Sequence, residues 1–296
     1  MSQEPTDPFA TKIEAIAAEA MAALEEREPP IQLGFWPDDE RAMPGDFIAC
    51  ALFTASKATE HVTRGQIASV HGMTVIFTGK RLTQVHADVW MGIMHLARER
   101  SSGDVVRFRG RQLLNLIGRY THAGQREQLK NWISELGAAQ VLIQDDAKRK
   151  RYGGSLLPWQ EETDGEYFDV FKITISRELA RLLSGNYWRI DWPLRKRLQK
   201  KPLALWLQTY FARFNRPAKV AHLHELSGST SSLKKFRQNL GFALDELHEA
   251  GGFSAEIDRE TDTVRSTSRR PAPKKRPPVE DTQGRLFAEP DLRIVK

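Results

Sequence analysis

One order of predicted elements occurs twice along this chain, and it limits the fold more than any other feature. Apolar residues at helical spacing predict two long helices, over 123–136 and 232–250, which end at Gly137 and Gly251. Each follows a helix, a short helix and a turn, and each precedes two segments typical of strands. The halves share little sequence, so the repeat is one of pattern. It predicts an α+β protein with two similar units.

The order of elements within each unit is that of a winged helix. After a strand over 75–79, the first unit has a helix over 85–98, a strand over 105–108, a short helix over 112–117, a turn over 119–122, the long helix, a strand over 139–143, a long polar loop and a strand over 167–175. The second follows a helix over 177–183 and a strand over 188–192, and has a helix over 202–214, a short helix over 222–226, a turn over 228–231, the long helix, and strands over 253–257 and 263–266. In a winged helix the long helix enters the major groove of DNA, and the loop of the hairpin, the wing, contacts the backbone or minor groove. We predict two tandem winged-helix domains, at 46–175 and 176–266.

The segments outside these two domains differ in composition. A helix is predicted over 10–27, with Thr11 and Glu14 as its capping box, and an acidic linker follows to residue 45. Residues 265–278 contain six basic residues, four prolines and no acidic residue, a composition that keeps a segment disordered. We therefore predict disordered N- and C-terminal tails, over 1–45 and 267–296.

Acidic and basic residues are segregated along the chain. Residues 1–47 carry eleven acidic and three basic residues, and residues 279–296 carry four and three. Residues 48–278 therefore bear +15, against an overall net charge of +6. A segment that basic attracts phosphate groups, whereas a merely solvated surface normally mixes both signs. Charge thus favours a nucleic acid as partner.

The predicted contacts with duplex DNA lie on the two long helices and on one basic loop. Arg and Lys recognise guanine, Asn and Gln recognise adenine, and hydroxyls and cations bind phosphates. In the second long helix acids begin only at Asp245, whereas Glu127 and Glu135 weaken the pattern in the first. The candidates are Ser229, Thr230, Ser231, Ser232, Lys234, Lys235, Arg237 and Gln238 in the second unit, and Gln125, Arg126 and Lys130 in the first. Four consecutive bases are predicted to form the wing of the first unit: Lys148, Arg149, Lys150 and Arg151.

Motifs for catalysis are not evident in the sequence. It has no HExxH, Cys-x-x-Cys, P-loop or GxGxxG pattern. His222 and His224 have the spacing with which rolling-circle nucleases hold a metal ion beside a tyrosine. They start a helical pattern, in which alternate residues do not share a face, and no tyrosine follows Tyr210. We therefore predict a protein without catalytic activity, cofactor or metal.

Cysteine usage and hydropathy indicate the compartment. The chain has one cysteine, Cys50, and so forms no internal disulfide, as is usual in a reducing cytoplasm. It has no run of about 18 apolar residues, and its N-terminus lacks the pattern of a secretory signal. The predicted localisation is the cytoplasm, without membrane contact.

Short strings in the first third of the chain are similar to those of a known family. The residues that carry the likeness are Trp36-Pro37-Asp38, Arg41-Ala42-Met43-Pro44, Ala51-Leu52-Phe53-Thr54 and Phe77-Thr78-Gly79. They resemble the broad-host-range plasmid replication initiators of the TrfA type, closely over 33–80 and as an order of elements to about residue 265. The resemblance implies two winged helices that bind repeated sites (iterons) at a plasmid origin. It also implies origin opening, recruitment of the replicative helicase with help from the host initiator, and contact with the host sliding clamp.

The same resemblance places a clamp-binding peptide just before the Trp-Pro-Asp string. The corresponding residues are Gln32, Leu33, Phe35 and Trp36, with phenylalanine where the family has leucine. A second candidate in the C-terminal tail keeps Gln, Leu and Phe at the expected spacing: Gln283, Leu286 and Phe287. From a disordered segment, a glutamine can bond at a pocket rim while apolar neighbours fill a groove. Such five-residue patterns also occur by chance.

Two other classes of protein share these features. A transcriptional repressor with paired winged helices would bind a promoter operator rather than iterons near its own gene. An origin-nicking endonuclease would cleave supercoiled DNA in a metal-dependent reaction. A homodimer is compatible with each class, since the sequence does not determine the oligomeric state.

Overall fold

The computed structural model describes residues 29–56, 60–145, 150–163, 168–185, 187–214 and 216–266. The predicted helix over 10–27, the tail over 267–296 and, with it, the candidate peptide of Gln283, Leu286 and Phe287 lie outside these ranges, as do Lys148 and Arg149. Along the described residues, no helix is both long and apolar enough to cross a membrane.

The described chain mixes helices and sheets, as predicted. Its strands are β1 (Glu40–Pro44), β2 (Phe53–Thr54), β3 (His61–Ile67), β4 (Met73–Lys80), β5 (Leu82–Thr83), β6 (Val105–Arg109), β7 (Gln140–Asp145), β8 (Lys150–Ser155), β9 (Trp159–Thr163), β10 (Phe168–Thr174), β11 (Tyr187–Asp191), β12 (Ala218–Lys219), β13 (Ala255–Asp258) and β14 (Thr263–Ser266). Its helices are α1 (Gly45–Ile48), α2 (Gln84–Ala97), α3 (Gly110–Leu116), α4 (Ala123–Ala138), α5 (Arg177–Ser184), α6 (Trp192–Arg197), α7 (Pro202–Arg213), α8 (Val220–Leu226) and α9 (Leu233–Glu249).

The first unit has a three-stranded antiparallel sheet packed with its helices. Strand β6 is followed by α3 and α4, and the sheet order is β6-β10-β9. Phe108 of β6 and Phe171 of β10 stack with ring centroids 5.7 Å apart. Helix α4 contributes a stripe at helical spacing to the same core: Leu129, Trp132, Ile133 and Leu136.

The strand pairing of the first unit differs from the prediction. Strands over 139–143 and 167–175 do not form one hairpin: β7 pairs with β8, whereas β10 pairs with β9 and β6. Strands β8 and β9 fall in segments predicted as polar loop, because glycines and glutamates there hide the alternation typical of a strand. The hairpin of the first unit is therefore β9–β10.

The second unit has the same arrangement. Strand β12 is followed by α8 and α9, and the sheet order is β12-β14-β13, antiparallel throughout. The predicted hairpin is confirmed, with Ala255 opposite Ser266 and Asp258 opposite Thr263. The buried side of α9 carries Phe236, Leu240, Ala243, Leu244 and Leu247.

The two units match residue by residue between their first strand and their long helix. β6 ends at Arg109 and β12 at Lys219, α3 and α8 each have seven residues, and equal connections lead to α4 and α9. Equivalent residues in this segment thus lie 110 positions apart. In the two connections Gly118 and Gly228 have φ of 73° and 64°. That left-handed conformation favours glycine, so both turns make the same demand on the sequence.

A four-stranded sheet, ordered β3-β4-β7-β8, packs against α4. The sequence predicts β4 and β7 but neither of the outer strands. Along β4 buried and half-buried residues alternate from Met73 to Lys80, so one side of the sheet lies on the core. Arg151 therefore lies in this sheet, on β8, and not in the β9–β10 hairpin.

Residues 31–44, predicted as a linker, are folded. Strand β1 pairs antiparallel with β11 along its whole length. Leu33 and Trp36 lie in the core of the first unit together with Trp192. This core extends past the predicted domain boundaries at residues 45 and 175, and the core of the second unit begins at Leu194.

A buried guanidinium joins the two units. Arg195 in α6 is 1% exposed, and its Nε donates to the Asp88 carboxylate of α2. Its other two nitrogens donate to Gln84 Oε1 at 3.0 Å, to the Leu205 carbonyl at 3.1 Å and to Thr209 Oγ1 at 2.9 Å. Because α2 is the helix before β6 in the first unit and α7 the helix before β12 in the second, one side chain connects the corresponding helices of the two units.

Asp88→Ala is predicted to lower the free energy of unfolding by about 3–5 kcal/mol, because it leaves the Arg195 charge buried without its counter-ion. Chemical denaturation measures the change. Asp245→Ala, which removes an exposed carboxylate of α9, is the matched control and is expected to cost less than about 0.5 kcal/mol. Replacing both partners, Asp88→Leu with Arg195→Met, is expected to recover most of the loss. Equal stability of Asp88→Ala and the parent chain would contradict the role of the pair.

Candidate DNA-binding surface

The amino end of α9 presents several of the predicted contacts to solvent. Ser232 caps the helix, and its Oγ accepts from the Lys235 backbone N–H at 3.3 Å. Lys234, Lys235 and Gln238 are exposed, and Lys235 Nζ donates to Gln238 Oε1 at 3.2 Å. The helix dipole makes this end positive and the two lysines add to it, so the end favours a phosphate group.

The turn before α9 uses most of its hydroxyls internally. The Oγ atoms of Ser229 and Ser231 lie 3.0 Å apart, and both residues are half-buried. The Ser231 carbonyl accepts from His224 Nε2 at 2.7 Å, which ties the turn to α8. Thr230 is exposed. Of these predicted contacts, Thr230 is therefore the one whose side chain meets solvent most directly.

Arg237 holds the hairpin of the second unit against α9. Its Nε and Nη2 each donate to the Asp262 carboxylate at 2.8 Å, in the turn between β13 and β14. These hydrogen bonds raise the pKa of Arg237 and lower the pKa of Asp262. These bonds use two of the five guanidinium N–H groups, so the base contact that the sequence predicts for Arg237 is compatible with the pair.

The turn of this hairpin is further fixed by side chains that form hydrogen bonds with its backbone. Asp258 Oδ1 accepts from the N–H groups of Glu260 at 3.0 Å and Thr261 at 3.2 Å. Hydrogen bonding from Thr261 lowers the pKa of the Asp258 carboxyl. Lys219 Nζ donates to the Thr261 carbonyl at 2.6 Å. The exposed Arg259 is thus carried on an ordered turn beside α9.

The long helix of the first unit repeats this arrangement with different residues. His122 caps α4, and its Nδ1 accepts from the Gln125 N–H at 3.3 Å. Gln125 and Arg126 are half-buried on the first turn. Lys130 pairs with Glu161 of β9 at 2.7 Å. In both units, a cation of the long helix is therefore paired with a carboxylate of the hairpin.

Glu135 is not part of the outward side of α4. It forms an ion pair with Lys80 of β4, and its Oε2 lies 2.7 Å from His86 Nε2 of α2. His86 is itself fixed, since its Nδ1 accepts from the Thr83 N–H at 3.0 Å. Of the two acids that weaken the sequence pattern, Glu135 is thus engaged in positioning α4 against its own unit, whereas Glu127 is exposed.

Of the basic run at 148–151, the described residues lie in β8 and not in the β9–β10 hairpin. Arg151 is exposed in β8, opposite Gln144, while Lys148 and Arg149 and the side chain of Lys150 are outside the described part of the chain. Strand β8, which contains Lys150 and Arg151, belongs to the four-stranded sheet. The predicted hairpin of strands over 139–143 and 167–175 does not form, because β8 pairs with β7 and not with β10. That the four basic residues contact DNA stays a prediction.

The N-terminal candidate peptide is built into the core. Trp36 is fully buried, and its Nε1 donates to His95 Nδ1 at 3.0 Å. Burial lowers the pKa of His95 to about 4, so the ring is neutral and can accept this hydrogen bond at neutral pH. Leu33 is buried as well, whereas Gln32 and Phe35 are exposed. The structure contradicts the prediction that this peptide lies in a disordered segment.

Two exposed aromatic side chains near the long helices escape the sequence analysis. Tyr120 is 81% exposed in the turn before α4, and its ring stacks on that of His122 with centroids 6.5 Å apart. Phe242 is 60% exposed on α9. Tyr120 lies in a turn, where the sequence has no periodic pattern that could reveal it. Phe242 could have been found, because it follows Gln238 by four positions and Lys234 by eight, the spacing of residues along one side of a helix.

The histidine pair weighed as a metal site lies on a helix, and one of its members packs against the core of the second unit. His222 and His224 lie on a helix, α8, as predicted, and the His224 ring packs against Phe236 at 5.0 Å. Burial raises the pKa of the Cys50 thiol to about 12, so the sulfur is not a reactive thiolate. Within the described ranges, no three His, Cys, Asp or Glu residues are grouped so that they could hold a metal ion.

Comparison with known proteins agrees with the resemblance. A curated relative, the plasmid replication initiator protein TrfA of Escherichia coli, is 25% identical over 233 residues, which cover 73% of this chain and 59% of the relative. The chain thus spans less than two thirds of that relative's length. Two crystal structures of domains 2 and 3 of RctB align at 12% identity with TM-scores of 0.46 and 0.45, covering 66% and 72% of this chain and 81% and 92% of theirs. The family model described as TrfA protein matches residues 27–264. Since this is most of the chain, the protein belongs to the TrfA family.

Proposed function

We propose that this protein is a plasmid replication initiator that binds repeated sites in duplex DNA at an origin. In this proposal both units are winged helices, with α4 and α9 in the major groove and the hairpins β9–β10 and β13–β14 beside them. Family membership supports the biological role. The equal sheet orders, β6-β10-β9 and β12-β14-β13, support the assignment of both units to one type.

The observation that carries the proposal is the amino end of α9. From Ser229 to Leu244 the chain contains no acidic residue, and Lys234, Lys235 and Gln238 face solvent along the first two turns. This combination suits readout of guanine and adenine edges together with phosphate contact. A helix that is merely solvated normally alternates acids and bases along its length.

The two ion pairs between long helix and hairpin support a preorganised surface. Lys130 with Glu161 and Arg237 with Asp262 hold each hairpin at a set position before DNA arrives. Binding then spends less free energy on ordering the protein, because the turn and the helix already have their relative placement. We propose that the hairpins contact the phosphate backbone next to the groove that each long helix enters.

The proposed partners are origin DNA, the host sliding clamp, the replicative helicase and the host initiator. Origin melting costs stacking and pairing energy, so we propose that several bound copies share it. For the clamp, the peptide at 32–36 would have to release Trp36 from the core. We therefore favour the other candidate, Gln283, Leu286 and Phe287, which keeps Gln, Leu and Phe at the expected spacing.

The protein is proposed to act without catalytic chemistry of its own. A nicking endonuclease is disfavoured because His222 and His224 alternate along a helix and so cannot share one face. A transcriptional repressor would use the same surface, and the arrangement of its binding sites separates the two roles: iterons at an origin or a single operator at a promoter.

Specific binding to an origin fragment from the plasmid that carries this gene tests the proposal. The chain is expected to protect repeated sites from chemical cleavage. Lys234→Ala is expected to weaken specific binding by about 1–3 kcal/mol and to reduce the slope of log affinity against log salt by about 1, because one phosphate or base contact is lost. Arg181→Ala, which removes an exposed cation of α5 outside the proposed surface, serves as the control. No repeated protection, or an equal loss in both variants, would count against the proposal.

A second test separates a positioning role of Arg237 from a direct contact. If the pair with Asp262 positions the hairpin, Arg237→Ala, Asp262→Ala and the double variant are expected to weaken specific binding to a similar extent. The weakening in Asp262→Ala would occur although a negative charge near the DNA is removed. If Arg237 itself binds DNA, Asp262→Ala will leave the affinity unchanged or increase it. Binding measured by fluorescence anisotropy distinguishes the two patterns.

A further inference from the structure

Phe242 is an exposed apolar side chain of α9. It is 60% exposed, although the buried stripe of the helix already has five apolar residues packed in the core. It lines a surface groove together with Thr230 of the preceding turn and Leu203 of α7. Its neighbours three and four positions away on the helix are Gln238, Asn239, Asp245 and Glu246, of which Gln238 and Asp245 are exposed. The ring is thus not needed to complete the core of the second unit.

The position of Phe242 continues the surface proposed for DNA. Residues spaced by four lie along one stripe of a helix, so Lys234, Gln238 and Phe242 form a row. At about 1.5 Å per residue, the row is about 12 Å long, similar to the width of the major groove. The surface at Gly241 is also open, since a Cβ there would meet no atom within 4 Å. The first acid, Asp245, comes only after the row ends.

We propose that Phe242 contacts the 5-methyl group of a thymine in the major groove and so adds a thymine preference to the site. The inference rests on the proposed function, and it names one chemical group of the DNA that α9 would recognise. In the major groove, the bases present donors and acceptors, and the thymine methyl is their apolar feature. A phenyl ring has no hydrogen-bonding atom for a base edge, so among these features only the methyl is complementary to it. Lys234 and Gln238 in the same row supply the polar contacts.

A protein partner is the other kind of occupant for an exposed ring. The observations favour DNA, because the ring continues a row of cationic and amide side chains and no acidic residue lies between them. If the ring instead contacts a second copy of this chain, Phe242→Ala will reduce self-association and leave DNA binding unchanged.

The test replaces single thymines by deoxyuridine, which lacks the methyl and keeps the same donors and acceptors. The full chain first selects its site from a library of short randomised duplexes, and each thymine of the selected duplex is then replaced in turn. The affinity is expected to fall about fourfold at one or two positions, the effect of one methyl group left in water. Phe242→Ala should bind the thymine and the uracil duplexes equally well, and Phe242→Leu should retain part of the difference.

Phe35→Ala is the matched control, since Phe35 is 58% exposed on the N-terminal segment and lies outside the row. It is expected to discriminate thymine from uracil as the parent chain does. Equal affinity of the parent chain for every uracil duplex, or discrimination retained by Phe242→Ala, would overturn the inference while leaving the proposed function intact. Failure of the parent chain to select any site would instead remove the proposed function. A Phe242→Ala variant that loses only self-association would assign the ring to contact between two copies.

Discussion

The arrangement of this protein depends on a charge that has no access to water. Burying a guanidinium is costly unless its N–H groups find partners, and Arg195 finds them in both halves of the molecule: Asp88 and Gln84 on α2, and Leu205 and Thr209 on α7. Helices α2 and α7, which occupy corresponding places in the two units, are thereby bound to the same side chain. The relative placement of α4 and α9, which follow those helices, depends on this contact, and so does any DNA site that both would read.

The two units reach one geometry with different side chains. Both units have a glycine with left-handed backbone conformation before the long helix, Gly118 in one and Gly228 in the other. In both, the long helix is capped at its amino end, and one of its cations forms an ion pair with the hairpin. The capping group is an imidazole in one unit and a hydroxyl in the other. Because the scaffold does not depend on the outward residues, these are free to differ. The second unit presents lysines and a phenyl ring, whereas the first presents Gln125 and Arg126 next to an exposed tyrosine.

The sequence predicts those parts of the fold whose signal is local. The long helices, the short helices before them and the hairpin of the second unit have apolar spacing or turn residues of their own, and they are confirmed. Strands β8 and β9 are missed because they obtain their partners from distant segments, and their residues lack a regular apolar alternation. Trp36 illustrates the same limit, since its burial depends on His95 and Tyr187, which are remote in the chain. Similarly, the charges of Arg237, Lys130 and Glu135 are visible in the sequence, but their ion pairs arise only from the tertiary fold.

In the proposed function, the contact of Arg195 with α2 and α7 joins the two units so that both long helices reach one DNA site. Photo-crosslinking tests this arrangement most directly, with a photoreactive residue placed at exposed Gln128 of α4 in one variant and at exposed Gln238 of α9 in another. Both variants are predicted to crosslink to bases within every occupied site, at a separation in base pairs that is the same from site to site. Crosslinking from only one helix, or a separation that varies between sites, would contradict a fixed arrangement of both helices on one DNA site.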